Sequence, residues 1–303
     1  MPASTYDLII VGGGILGTFH AYHALAKGLK VALLEKDAKP RGATVRNFGQ
    51  IVPSGMDNKW QKFGRRSLEI YKEIQQSFDI SVRQNGSMYV ASDEEELKLL
   101  EELWHINQTN DYESQVWDQK RCLEKYEGLR ADYCKGGLFF PQEITIEPET
   151  AIHRILHYLV EQKDLDYYPL HAVREVYISG SSCHLHTIGG EEFWAEKVII
   201  CSGAEFQLLF PHIFRESDLE WVKLQMLKTQ PQRRQKIPGS VLTGLSIRRY
   251  EAFRACPSYQ SIKAKEDAES FARKWGVHIL FKQAKDGSII LGDSHEYADV
   301  REA

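Results

Sequence analysis

The chain has 303 residues, enough for one large hydrophobic core or two modest ones, and 43% hydrophobic with 26% charged residues is typical of a folded globular protein. Its 38 basic and 42 acidic residues give a net charge of −4, which argues against a nucleic-acid or anionic-membrane surface. No apolar run is long enough to span a bilayer. Five cysteines without a C-x-x-C pair favour reduced thiols in a cytoplasmic protein.

The first strong pattern lies at the N-terminus. The apolar run Tyr6–Val11 predicts a buried parallel strand, and it is followed by the turn Gly12-x-Gly14-x-x-Gly17, a helical stretch and a second apolar strand at residues 30–34. Gly12 permits a tight turn, Gly14 lets the backbone approach a pyrophosphate, and Gly17 lets the helix pack closely on the strand. This order of elements predicts a dinucleotide-binding βαβ unit.

An acidic residue, Glu35, directly follows the second strand. Its carboxylate suits the two ribose hydroxyls of an adenosine and would repel a 2′-phosphate. The helix after the turn directs its amides and the positive end of its dipole at the diphosphate. The motif fits both FAD and NAD. An NAD enzyme would usually continue into a further βαβ repeat, whereas here a polar loop with several glycines follows at residues 41–50.

That loop resembles the segment that runs along the ribityl chain and flavin ring in the D-amino-acid oxidase and glycine oxidase superfamily of FAD-dependent oxidoreductases. Two later segments are similar to the superfamily as well: a glycine-rich strand followed by Glu147-Pro148 and a helix, and an apolar strand that ends at Gly203-Ala204. The resemblance implies FAD as the cofactor. It also implies cofactor contacts for Lys36, Thr44, Val45, Asn47, Gly49, Val173 and Gly203.

The resemblance covers nearly the whole chain and implies an α/β fold of two lobes. A Rossmann-like FAD-binding lobe of the glutathione-reductase type is expected at residues 1–82 and 143–214. An α+β substrate lobe with an antiparallel sheet is expected at residues 83–142 and 215–303. Members of the superfamily end with a further strand, a glycine-rich turn and a helix that faces the flavin pyrimidine, and that element is missing from these 303 residues.

Substrate-binding residues are predicted near the C-terminal end. The alternation in residues 244–253 predicts a strand whose polar face carries Arg248 and Tyr250. Arg248 is expected to hold a carboxylate or phosphonate and Tyr250 to orient it, and the alternative is an exposed face with a salt-bridged arginine. His295 is expected to reach the same cavity, and Arg46 is the next candidate to bind the anion.

Four segments, residues 46–49, 223–229, 244–253 and 292–297, look like the branch of the superfamily associated with aminophosphonate utilisation. The resemblance implies oxidation of a small primary or secondary amine with an anionic group. A hydride would pass to flavin N5, the imine would hydrolyse, and oxygen is the expected electron acceptor. An NAD-dependent dehydrogenase and a non-catalytic flavin-binding subunit are the alternatives.

Two histidines raise the question of a metal site. His184 and His186 lie on one face of a strand predicted at residues 183–187, a spacing that suits two ligands of one metal ion. No third ligand lies nearby in the sequence. We therefore predict a solvated hairpin here and no metal site.

Overall fold

The computed structural model describes residues 6–232, 234 and 236–299. The helices with α geometry in this part of the chain are α1 (Ile15–Leu25), α2 (Asn58–Ser77), α3 (Glu94–Thr109), α4 (Gln119–Lys125), α5 (Pro148–Lys163), α6 (Pro211–Arg215), α7 (Gly244–Ile247), α8 (Tyr259–Lys263) and α9 (Phe271–Lys274). None of these helices combines the length and the apolarity that a membrane crossing needs.

The strands fall into two large sheets and one small one. The described strands are β1 (Tyr6–Val11), β2 (Val31–Glu35), β3 (Gln50–Ile51), β4 (Ser87–Ala91), β5 (Gln115–Asp118), β6 (Gly136–Phe140), β7 (Ile144–Thr145), β8 (Asp166–Pro169), β9 (Val173–Ser179), β10 (Ser182–Thr187), β11 (Glu192–Ile200), β12 (Glu220–Lys228), β13 (Ser240–Leu242), β14 (Leu280–Gln283) and β15 (Ile289–Asp299).

The first sheet has the order β8-β2-β1-β11-β10-β9 and contains the predicted βαβ unit. Strands β8, β2, β1 and β11 pair in parallel, and β10 pairs antiparallel with both β9 and β11. Leu8, Ile10 and Leu33 pack in one core with side chains of α1, α2 and α5. Small residues of α1, such as Ala21 and Ala24, are buried against this core, so the helix lies close to the sheet.

The second sheet has the order β12-β15-β14-β13-β4-β6-β5. Its pairs are antiparallel except for β13 with β4, which are parallel. Tyr89, Phe140 and Phe253 are fully buried in the core between this sheet and α3. The side chain of Asp93 caps α3 by accepting a hydrogen bond from the Glu96 amide.

These sheets confirm the α/β fold with a parallel nucleotide-binding sheet and a largely antiparallel second sheet. The first sheet uses strands from residues 6–35 and 166–200, and the second uses strands from residues 87–140 and 220–299. The lobe boundaries at residues 1–82, 83–142, 143–214 and 215–303 stay a prediction.

The strand predicted at residues 244–253 is wrong. Residues Gly244–Ile247 form α7 and Glu251–Ala255 form a 3₁₀ turn, with the Arg248 amide donating to the Gly244 carbonyl. The apolar residues of the alternating pattern are buried from helical segments and not from a strand: Ile247 lies in α7 and Phe253 lies in the 3₁₀ turn. Tertiary packing overrides a local pattern of this length.

Candidate functional site

A cavity of about 690 Å³ lies where the C-terminal ends of β1 and β2 meet the N-terminus of α1. Cofactor pockets commonly measure about 300–1,000 Å³. The predicted cofactor residues that line this cavity are Gly12, Gly14, Glu35, Lys36, Thr44, Asn47, Gly49, Val173 and Gly203. Arg46 lines it too, as do His171 and Leu209, which the sequence analysis missed.

The glycine turn has the conformation that the motif requires. Gly12 has φ +104°, and a Cβ there would overlap the Cys201 carbonyl of the neighbouring β11 end. A Cβ on Gly17 would overlap the Gly12 carbonyl oxygen. Gly17 therefore lies beneath the turn and outside the cavity wall, where it allows α1 to pack against the strand end.

The Glu35 carboxylate is held at the cavity wall by backbone amides. Its Oε2 accepts a hydrogen bond from the Gly13 amide at 2.8 Å, and its Oε1 accepts one from the Asp37 amide at 2.9 Å. A carboxylate can accept about four hydrogen bonds, so both oxygens keep capacity for ribose hydroxyls. These contacts fit the predicted adenosine-binding role.

The loop at residues 41–50 is fixed by its own polar side chains. The Thr44 hydroxyl accepts from the Ile15 amide at 2.9 Å, which joins the loop to the N-terminus of α1. The Asn47 side-chain amide donates to the Thr44 carbonyl at 2.7 Å, and its Oδ1 accepts from the Gly49 amide at 2.8 Å. Val45 belongs to a 3₁₀ turn, Ala43–Val45, and does not line the cavity. A preformed loop of this kind lowers the entropy cost of cofactor binding.

A lysine at the adenosine end is paired with acids. Lys36 Nζ lies 3.6 Å from a carboxylate oxygen of Asp37 and 3.6 Å from one of Glu205. The glycine cradle, the Glu35 carboxylate and the ordered loop therefore fit a dinucleotide with a free ribose diol. The residues to hold FAD are present in this chain.

The predicted substrate residue Arg248 needs correction. Its Nε donates to Glu96 Oε1 at 2.8 Å and its Nη2 donates to Asp93 Oδ2 at 2.7 Å, at the N-terminus of α3. Because residues 244–247 are helical, Arg248 and Tyr250 do not share a strand face. Arg248 is the salt-bridged arginine of the alternative interpretation.

The next residue, Arg249, joins a buried basic cluster that the sequence analysis missed. Its Nη2 lies 3.1 Å from His295 Nε2, and its Nη1 lies 3.2 Å from His278 Nδ1. His295 Nδ1 lies 2.8 Å from the Gly276 carbonyl oxygen, so one neutral tautomer of His295 donates to Gly276 and accepts from Arg249. His278 Nδ1 lies 2.8 Å from Asp293 Oδ1. The cluster thus combines a guanidinium with two imidazoles and a nearby carboxylate.

The basic cluster does not line the cavity, but two contacts connect its surroundings to residues 41–55, a segment that includes cavity-lining residues. The Gln50 side chain, on the cavity wall, donates to the Phe281 carbonyl of β14 at 3.3 Å. Tyr250 packs on Gly55, four residues beyond the cavity residue Ile51, and its ring centre lies 5.8 Å from that of His278. Burial raises the pKa of the Tyr250 hydroxyl well above its usual range, so it remains a neutral donor. Tyr250 and His295, both predicted from the sequence, therefore lie in this cluster together with Arg249, whereas Arg248 does not.

A buried acid, Glu143, lies next to the 3₁₀ turn Pro53–Gly55. Glu143 is fully buried, and its Oε1 accepts hydrogen bonds from the Ser54 amide and the Tyr112 hydroxyl, each at 2.8 Å. The Ser87 hydroxyl donates to the other oxygen. Burial raises the pKa of Glu143 to about 7 despite these donors.

A buried lysine links the second sheet to the cavity wall. Lys282 on β14 is 1% exposed, and its Nζ donates to the carbonyl of Ile146, a cavity residue. The ammonium lies 3.8 Å from Glu147 Oε1. Burial lowers the pKa of Lys282 to about 8.

Two curated proteins share part of their sequence with this chain. Mouse sarcosine dehydrogenase is 27% identical over 149 residues, which are 48% of this chain and 16% of that protein. Glycine oxidase of Bacillus licheniformis is 24% identical over 217 residues, 69% of this chain and 57% of that protein. The chain therefore spans less than two thirds of the length of either relative.

The fold has solved counterparts. The crystal structure of glycine oxidase from Geobacillus kaustophilus superposes with a TM-score of 0.73 at 17% identity, covering 97% of this chain and 72% of that one. The family model DAO, described as FAD dependent oxidoreductase, matches residues 7–302. The chain therefore belongs to the DAO family of FAD-dependent oxidoreductases, and its cofactor is FAD.

Proposed function

We propose that the protein oxidises a small primary or secondary amine that carries an anionic group. The observation that carries this proposal is the basic cluster of Arg249, His278 and His295, whose surroundings contact the chain segment that lines the FAD cavity. Relatives named glycine oxidase and sarcosine dehydrogenase support the amine class. Because the family depends on FAD, the NAD-dependent alternative is excluded.

Arg249 is the residue proposed to bind the anionic group. A guanidinium has five N–H donors in a planar fork that matches carboxylate and phosphonate oxygens, and the contacts described above occupy only some of them. His295 supports the fork from one side through Nε2. The substrate would thereby be held with its amine toward the cavity.

His278 is the residue proposed to manage the proton of the amine, which must be neutral to lose a hydride from its α-carbon. His278 Nδ1 lies 2.8 Å from the Asp293 carboxylate, and in the tautomer that is protonated on Nδ1 the Nε2 atom would accept the amine proton. FAD supplies the two-electron acceptor for that hydride. Loss of the hydride and of the amine proton converts the substrate to an imine, which water hydrolyses to a carbonyl compound and ammonia or a primary amine. Oxygen is the proposed acceptor that reoxidises the flavin.

An aminophosphonate is the finer proposal for the substrate. A phosphonate presents three oxygens to donors, one more than a carboxylate, and the Arg249 guanidinium keeps unoccupied N–H groups for them. Residues 292–297, which look like the aminophosphonate branch, supply Asp293 and His295 to this cluster. A cytoplasmic location also stays a prediction.

Anaerobic reduction of the bound flavin tests the function. The FAD-loaded protein is mixed with aminomethylphosphonate, 2-aminoethylphosphonate, glycine and sarcosine, and bleaching of flavin absorbance is followed. Reduction by the phosphonates is expected. Reduction by glycine or sarcosine alone would contradict the aminophosphonate class and keep amine oxidation. No reduction by any amine would favour the non-catalytic flavin-binding alternative.

Replacement of Arg249 tests the anion site. Arg249→Lys removes the fork, so KM for the anionic amine should rise by roughly 10- to 150-fold, corresponding to about 1.5–3 kcal/mol, with flavin content unchanged. Arg254→Lys is the matched control, because Arg254 is an exposed arginine paired with Glu251 in the same segment. An unchanged KM in Arg249→Lys, or an equal rise in the control, would remove Arg249 from the substrate site.

A further inference from the structure

Three adjacent strands bring two imidazoles and two carboxylates to one face of the first sheet. His184 and His186 alternate along β10, so their side chains share that face. Antiparallel pairing sets Glu192 of β11 and Glu175 of β9 directly opposite His186. His186 Nδ1 lies 3.6 Å from a Glu175 oxygen, and His186 Nε2 lies 3.7 Å from Glu192 Oε1.

The buried member of this group, His184, has a nitrogen without a hydrogen bond. The residue is 4% exposed, and its Nε2 has no hydrogen-bond partner among the described residues. Glu192 Oε2 lies 3.2 Å from that nitrogen, without the alignment that a hydrogen bond needs. The Tyr177 hydroxyl binds Nδ1, and the ring stacks on Trp194 with centres 3.7 Å apart. The imidazole is therefore fixed with Nε2 directed at the Glu192 carboxylate.

We propose that His184, His186 and Glu192 bind a divalent transition-metal ion of the Zn²⁺ type, with Glu175 completing the site. A tetrahedral zinc site with bonds of about 2.0–2.2 Å sets ligand atoms roughly 3.3 Å apart, and the 3.2 Å between His184 Nε2 and Glu192 Oε2 matches that edge. The ligand atoms of the three residues all lie within 4.8 Å of one another.

The remaining ligands can reach this geometry by small rotations. The side chains of Glu175 and Glu192 are each 57% exposed and that of His186 is 24% exposed. These side chains therefore have room to rotate toward a bound ion. The two imidazole ligands favour zinc, copper or nickel over calcium and magnesium, which prefer sites made of oxygen ligands alone. Tyr177 acts as the positioning residue that holds the His184 tautomer.

The group of His278, Asp293 and His295 has a similar composition but a different electrostatic setting. The Arg249 guanidinium lies within 3.2 Å of nitrogens of both imidazoles. A second cation there would meet a fixed positive charge at close range. No arginine or lysine is among the contacts recorded for His184 and His186, so the metal proposal belongs to the β9–β11 face.

The proposed ion would cross-link strands of the sheet that carries the cofactor site. It would join β9, β10 and β11, and β11 pairs with β1, which leads into the glycine turn. The proposed ligands are not among the residues that line the cofactor cavity, so the proposal stands independently of the substrate. The sequence analysis predicted no metal site because Glu175 and Glu192 come from neighbouring strands.

Zinc titration of the FAD-loaded, chelator-treated protein tests the site by calorimetry. We expect one equivalent of Zn²⁺ to bind, and His186→Ala and Glu192→Gln to weaken binding at least tenfold. These two residues are accessible enough for the variants to fold. Tyr177→Phe should weaken binding by about tenfold, as loss of a ligand-orienting hydrogen bond usually does.

A matched control and a second readout complete the test. His157→Ala removes an exposed His–Glu pair on α5, in which the imidazole lies 2.7 Å from Glu161, and should leave zinc affinity unchanged. Zinc should also raise the melting temperature of the wild type and the control but not of His186→Ala. Absence of saturable binding, equal affinity in His186→Ala and Glu192→Gln, or loss of binding in the control would overturn the proposal.

Discussion

Protonation of the buried Glu143 should make the stability of the fold depend on pH. Its carboxylate accepts hydrogen bonds from Ser54, Ser87 and Tyr112, yet burial raises its pKa from 4.5 to about 7. Between these two pH values the folded protein keeps a proton that the unfolded chain has released. The free energy of unfolding therefore falls as pH rises through this window, and is not affected by this group below it.

The size of the effect follows from the two pKa values. A difference of about 2.5, at about 1.4 kcal/mol for each tenfold change in proton affinity, gives roughly 3 kcal/mol lost between acid and neutral pH. Glu143→Gln keeps the shape but cannot ionise. The free energy of unfolding of the variant should therefore lack this decrease with pH. Relative to that of the wild type, it should increase as pH rises.

Urea unfolding of the FAD-saturated protein, followed by circular dichroism from about pH 5 to about pH 8, measures this slope. The stability difference between wild type and Glu143→Gln should change by about 2.5 kcal/mol across that range, because part of the full effect falls below pH 5. Glu124→Gln is the control, because the side chain of Glu124 is 65% exposed. Parallel pH profiles for wild type and Glu143→Gln would refute the reasoning.

Two further predictions concern the cofactor turn and the corrected arginine. Gly17→Ala should lower FAD affinity by at least about tenfold, since its Cβ would overlap the Gly12 carbonyl. Flavin release on dilution measures this, and unchanged affinity would show that the turn can relax. Arg248→Met should cost about 2 kcal/mol of stability in urea by leaving Glu96, 3% exposed, without its partner. Its KM should stay unchanged, whereas a raised KM at unchanged stability would return Arg248 to the substrate site.

The cofactor site could be predicted because its signals are local. Gly12, Gly14 and Gly17 are set by backbone geometry over six residues, and Glu35 follows from the end of one strand. The loop at residues 41–50 follows directly in the chain. Local spacing of this kind survives any arrangement of the rest of the protein, and the resemblance of the loop to the D-amino-acid oxidase superfamily implied Thr44 and Asn47, which line the cavity.

The substrate side depended on tertiary structure. Residues 244–253 alternate like a strand, but burial of Ile247 and Phe253 in the second core favours helical turns. In a helix, successive residues point about 100° apart, so Arg248 turns to α3 while Arg249 meets His295.

The sequence by itself determined the βαβ unit, the acid after it, the loop along the cofactor and hence the FAD-dependent family. Only the tertiary structure decided which arginine joins His278 and His295, and which acids face His184 and His186. Glu192 lies six residues from His186 in the chain, and Glu175 lies eleven residues away. Both become its neighbours because antiparallel register is set by pairing between strands, which no spacing within one strand encodes.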